Sequence, residues 1–166
     1  MFDSHYPYNH IHTKGVQFED YQIEHLYAFR GKGKHRYIIR VEQYDYFLYA
    51  VKFHLKSHTH SPEKYNVLTG FHDMKGCVGT CLKVMLEIYK NNPYASFCFI
   101  GANSKEENKE QTRRFLIYQR VMKNYFSDVH FFHTTVEKES FYMMLNRLND
   151  KDFAAIFKIV KKLFNH

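Results

Sequence analysis

The sequence predicts an α+β fold, with a mixed, mainly antiparallel sheet of N-terminal strands, a helix–strand–helix–strand crossover and C-terminal helices. Three observations carry this expectation. Apolar and polar residues alternate with period two between Gln22 and His58. Val78, Leu82, Met85 and Tyr89 then recur at three- and four-residue steps, the spacing of one helix face. "ASFCFIGAN", residues 95–103, is almost continuously apolar, which suits a strand covered on both faces.

Taken in order, residues 1–13 have no clear period and read as an N-terminal arm docked by Tyr6 and Tyr8, ahead of a single globular domain over 14–166. "GKGK" (Gly31–Lys34) and "QYDY" (Gln43–Tyr46) read as hairpin turns. Tyr37, Ile39 and Val41 share a face, as do Phe47, Tyr49, Val51, Phe53 and Leu55. Arg36, Arg40, Lys52, His54 and Lys56 fall on the outward side. "SHTHSPEK" is a loop and "YNVLTG" a short strand. Lys83, Glu87 and Lys90 form the polar stripe of the first helix, which ends at "NNP". "TRRFLIYQRVMKNYF" is a second amphipathic helix and "VHFFHTTVE" a last strand. Phe141, Met144, Leu145 and Leu148 fit a short helix. Phe153, Ile156, Phe157, Val160 and Leu163 fit a terminal helix, with Asp150 as N-cap.

The formal net charge is +7 and the pI about 9.2, a balance that attracts polyanions. Three cysteines, an odd number, suggest reduced thiols. "MFDSHYPYNH" lacks the apolar core of a signal segment and no stretch reaches membrane-spanning length, so the expected setting is cytoplasmic, away from membranes.

Two stretches stand out as candidate sites. In "KGCVG", Lys75, Gly76 and Gly79 read as a turn at the start of a helix, where backbone N–H groups and the helix dipole favour a phosphate. The plainer alternative is a connection that needs glycine conformations. The second stretch opens at the carboxyl end of the apolar strand, where ligands of strand–helix sheets tend to lie. Arg113 and Arg120 share a helix face there, and Arg114 and Tyr118 accompany them, a set suited to phosphate or carboxylate recognition. A solvated helix face is the competing reading. His54, His58 and His60 lack the usual spacing of a metal site. His130 and His133 have no visible partner in the sequence. The outward basic face of the early hairpin, with tyrosines nearby, suits RNA or DNA unless helices cover it.

The segment from about Tyr65 to Arg147, with "LTG", "KGCVGT", "YASFCFIGAN" and "TRRFLIYQRVM", resembles a family of short uncharacterised bacterial proteins; Thr112, Arg113, Arg114 and Tyr118 match its Thr-Arg-x-x-x-Tyr-like run loosely. The order of elements also resembles the Gcn5-related N-acetyltransferase fold. That resemblance implies a pyrophosphate turn at "KGCVGT" and Tyr118 as the proton donor. Asp73 and Val78 stand in the first and last places of that family's Arg/Gln-x-x-Gly-x-Gly/Ala pattern and depart from it. Three function classes follow. The first is a binding or effector module, toxin-like or in phage defence, that engages nucleic acid or another phosphate-bearing ligand. The second is an acyl-CoA-dependent acyltransferase. The third is a non-catalytic domain that meets a protein partner or a second copy of itself.

Overall fold

A computed structural model describes residues 5–17, 19–60, 73–100, 113–136 and 141–163. The chain is α+β. Its strands are β1 (Tyr8–Gly15), β2 (Ile23–Arg30), β3 (Arg36–Tyr44), β4 (Leu48–Leu55), β5 (Ser96–Ile100), β6 (Phe131–Val136) and β7 (Phe141–Asn146). Its α-helices are α1 (Met74–Asn91), α2 (Arg113–Tyr125) and α3 (Phe153–Leu163). The strands form one sheet in the order β1-β2-β3-β4-β5-β7-β6.

β1 to β4 are successive antiparallel neighbours, and β5, β7 and β6 form a second antiparallel group. Among the described residues, one parallel contact joins the two groups: Leu48 pairs with Ser96, Tyr49 with Phe97 and Ala50 with Cys98. α1 makes the crossover that a parallel pair requires. The expected short strand "YNVLTG" lies outside the described residues.

The alternation seen in the sequence becomes two cores. On one face Tyr37, Ile39, Val41, Tyr49, Val51, Phe53, Phe97, Tyr142 and Met144 meet α1 and α2. On the other, Tyr44, Leu48, Ala50, Cys98, Met143 and Leu145 meet Ile156 and Val160 of α3. The polar stripe of α1 holds: Lys83, Glu87 and Lys90 are exposed, whereas Cys77, Val78, Cys81, Leu82, Val84 and Met85 are buried.

Four expectations need correction. The expected arm becomes strand β1 from Tyr8 onward, because its backbone pairs along β2 despite exposed side chains. Gly76 and Gly79 do not form a turn; α1 begins at Met74 and both glycines are buried within its first turns. Phe141–Asn146 is strand β7, not helix. "FYMMLN" is a short apolar run whose spacing fits either element, and burial between β5 and β6 decides for the strand. Asp150 does not cap α3, because a 3-10 turn over Arg147–Asp152 runs directly into it; the Asn146 side chain caps that turn by accepting from the Leu148 N–H at 3.0 Å.

Why Gly76 is glycine follows from the packing. The Tyr6 ring stacks on Phe29, which stacks on Tyr37, and its edge presses against α1. A Cβ on Gly76 would lie 2.3 Å from Tyr6 Cε2. The Tyr6 N–H donates to Thr80 Oγ1 at 2.9 Å, and its hydroxyl donates to Asp73 Oδ1. Burial, reinforced by the bond to Asp73 and its charge, pushes the Tyr6 hydroxyl up to about 12, so it stays a donor at neutral pH. Gly76→Ala is therefore expected to destabilise the fold by about 1–3 kcal/mol in urea unfolding, the usual cost of overpacking. In a Tyr6→Ala background the same substitution should cost less than half as much; an equal cost in both backgrounds contradicts this contact.

Candidate functional site

Antiparallel register builds a compact charged group on the face that α3 shares. Glu24 of β2 lies directly opposite Glu42 of β3, and Arg40 of β3 directly opposite Lys52 of β4. Like charge therefore faces like charge across both strand pairs, an arrangement that costs stability unless it is compensated. The compensation runs diagonally. Arg40 Nη1 donates to Glu24 Oε1. Lys52 Nζ is 2.8 Å from Glu42 Oε1. His12 Nε2 lies 3.0 Å and Lys14 Nζ 3.7 Å from Glu24 Oε2, and the Tyr44 hydroxyl donates to Glu42 at 3.2 Å.

The two signs differ in depth. Glu24 and Glu42 are only 5 % and 6 % exposed. The Arg40 and Lys52 side chains retain 19 % and 23 %. Burial alone would raise the Glu24 carboxyl, but the hydrogen bond with His12 and the Arg40 guanidinium, helped by Lys14, hold it below the usual carboxylate range. The nearby Cys98 thiol is fully buried and pushed up to about 12, chiefly by burial and further by Glu42, with Lys52 opposing. It stays protonated at neutral pH and is no nucleophile.

This group lies beside the end of the β4–β5 pairing. Ala50 and Cys98 are the last parallel pair, yet β4 continues to Leu55 and β5 to Ile100. Among the described residues, no further β4–β5 pair follows it, and Lys52 sits two residues past Ala50.

The structure places the residues singled out from the sequence in different settings. Lys75 is exposed on the first turn of α1, while Gly76 and Gly79 are buried under the packing already described. Arg120 is exposed on α2. The backbone of Arg113, Arg114 and Tyr118 belongs to the same helix, whose side chains are described from Gln119 onward. Residues 61–64 of the expected loop "SHTHSPEK", and residues 101–112 after β5, lie outside the described residues. Asp73 does not cap α1 with its side chain; Oδ2 instead accepts from the Lys32 N–H at 2.8 Å and Oδ1 from Tyr6.

The outward basic face proves to be largely paired. Arg40 and Lys52 are matched by the glutamates, and His54 is buried, with Nδ1 donating to the Leu55 carbonyl at 2.8 Å. Arg36 and Lys56 remain exposed. Among the described residues, no group of three His, Cys, Asp or Glu is placed to hold a metal ion. His133 has the partners the sequence concealed: Tyr142 donates to its Nδ1 at 2.6 Å, and its Nε2 donates to the Phe126 carbonyl at 2.7 Å. Among the described residues no helix is long and apolar enough to cross a membrane.

Glu24 and Glu42 were missed as site residues. Alternation puts each on the polar face, but only the hairpin registers bring them together. Neither a protein-family model, nor a curated protein, nor a solved structure matches this chain.

The Glu24 linkage has a definite sign. A carboxyl lowered in the folded state contributes stability that is complete above its unfolded pKa of about 4.3 and is lost as pH falls through the folded value. Acid unfolding of the wild type should therefore steepen below about pH 4.3. Glu24→Gln should flatten that limb; an unchanged acid limb contradicts the assignment.

Proposed function

We propose that this chain is an acyl-CoA-dependent N-acyltransferase-like enzyme, with the thioester placed at the end of the β4–β5 pairing. One observation supports the reading: two adjacent parallel strands pair over three described residues, and each precedes a helix in the chain. Among the described residues the ladder between them ends at Ala50 and Cys98, while β4 runs on to Leu55; the arm of coenzyme A is placed along that end of the strand.

In this reading the start of α1 meets the pyrophosphate. The Asp73 carboxylate is turned toward Lys32 and Tyr6 instead of capping the helix, and Lys75 adds a positive charge beside the first turn. The acceptor amine attacks the thioester carbonyl; a C–N bond forms and the C–S bond breaks. The departing thiolate takes a proton from Tyr118 on α2, and the amine loses its own proton to solvent.

The other two readings have less on their side. Binding of nucleic acid retains the net charge and the exposed Arg36, Lys75 and Arg120, but Arg40 and Lys52 are spent on buried glutamates. Self-association retains the exposed Tyr46, Phe47 and Tyr94, of which Phe47 and Tyr94 are in ring contact at 6.1 Å.

Isothermal titration with coenzyme A and with acetyl-CoA tests the proposal. It predicts micromolar binding of both, weakened by Lys75→Glu. Absence of heat at millimolar ligand would remove the acyltransferase reading, and salt-sensitive RNA or DNA binding in its place would restore the polyanion module.

A further inference from the structure

The end of the sheet at the β2–β3 turn gathers exposed cations from three segments of the chain. Arg30 ends β2 and Arg36 begins β3, and the two are direct partners in the register, so both side chains leave the same face. Lys32 and Lys34 form the turn between them. Lys56 follows Leu55, which pairs with Tyr37, the neighbour of Arg36. Lys75 lies two residues past Asp73, whose carboxylate accepts from the Lys32 N–H at 2.8 Å. All six cations are exposed, and among the described residues no carboxylate lies within ion-pair distance of any of their side chains. Asp73, the acid that touches the turn, is buried and accepts from the Lys32 amide and the Tyr6 hydroxyl. Like charges facing each other across strands cost stability, yet the fold keeps this turn in order. The Gly31 N–H donates to the His35 carbonyl at 2.8 Å and the Lys34 N–H to the Gly31 carbonyl at 3.1 Å. Lys34 itself holds a φ of 63°, the left-handed region that disfavours a lysine. A turn built for conformation alone would take glycine or asparagine there.

We infer that this end of the sheet is a nucleic-acid-binding surface, which holds the phosphate backbone and reads little of the base sequence. Six exposed cations spread over three segments match a chain of phosphates in sign and in extent. Arg30 and Arg36 each bring a planar fork that grips a phosphate through two N–H groups. Lys32 and Lys34 carry their ammonium groups on the turn beyond both strands. None of the exposed large apolar side chains among the described residues belongs to this group; Tyr46 and Phe47 sit in the β3–β4 turn, at the opposite end of β3. A membrane surface would draw on apolar side chains as well as charge, so the phosphates of a nucleic acid are the better match. Arg40 and Lys52, spent on buried glutamates, take no part. The surface rests on register, exposure and charge, and not on the acyltransferase reading.

Fluorescence anisotropy tests it, with labelled RNA and DNA probes of about twenty nucleotides, single-stranded and duplex, between about 50 and 200 mM salt. Affinity for at least one class of probe should fall as salt rises, with a log–log slope of about −4 to −5 on a duplex, the release expected of about five phosphate contacts. The double variant Lys32→Gln with Lys34→Gln should bind about tenfold or more weakly and reduce the slope by about two. Arg30→Gln with Arg36→Gln should do the same, and stands in if the turn variant does not fold. Lys158→Gln with Lys161→Gln removes the same charge from the exposed face of α3 and should change affinity about twofold or less. Lys75, which the acyltransferase reading sets beside the pyrophosphate, stays unchanged throughout, so the two readings fail separately. Equal losses from the α3 pair and the turn pair would overturn the inference, since net charge alone would then account for binding. So would no binding, or binding indifferent to salt. Tighter binding to phosphatidylserine vesicles than to any oligonucleotide would overturn it too and make this end of the sheet a membrane contact.

Discussion

Two antiparallel sheets are made into one by three residue pairs between β4 and β5. This seam is parallel, so it cannot be closed by a tight turn; the chain must leave the sheet, run along one face as α1 and return. Everything with chemical potential in the molecule depends on that constraint. The crossover places the start of a helix beside the carboxyl ends of two neighbouring strands. Among the described residues, that pairing ends at Ala50 and Cys98.

The position of α1 is fixed by a knot at its start. The Asp73 carboxylate bonds the Lys32 amide in the β2–β3 turn and the Tyr6 hydroxyl in the N-terminal segment. The turn comes this close because residue 31 is glycine; a Cβ there would lie 2.3 Å from Asp73 Oδ2. Tyr6, Phe29 and Tyr37 stack beneath, and the Phe53 ring meets Tyr37 edge-on. Three chain segments that are remote in sequence are thus held at one point by a carboxylate with defined acceptor duties. The same duties turn the carboxylate away from capping the helix.

Much of the fold was legible because it rests on local periodicity. Tyr37, Ile39 and Val41 alternate with polar residues, and burial follows that alternation. "SFCFI" reads as a central strand because both its faces are covered. The failures share a cause. "FYMMLN" carries no period long enough to separate strand from helix, and only its neighbours β5 and β6 decide. Gly76 looked like turn chemistry, yet it is glycine because a distant tyrosine ring needs the space. The charged group is a third case. Arg40 and Lys52 were visible as outward-facing cations, but their pairing with Glu24 and Glu42 depends on the registers of two hairpins. A search that carried those registers from the "GKGK" and "YDYF" turns would have found all four. The distinction between buried anions and half-exposed cations lies beyond any reading of alternation.

The most direct test of this account is residue-resolved hydrogen exchange along β4, without and with coenzyme A. The account predicts protected amides at Leu48–Ala50 without ligand, and slower exchange toward the end of the strand when coenzyme A is added. Unprotected amides at Leu48–Ala50, or no response to coenzyme A, would contradict it.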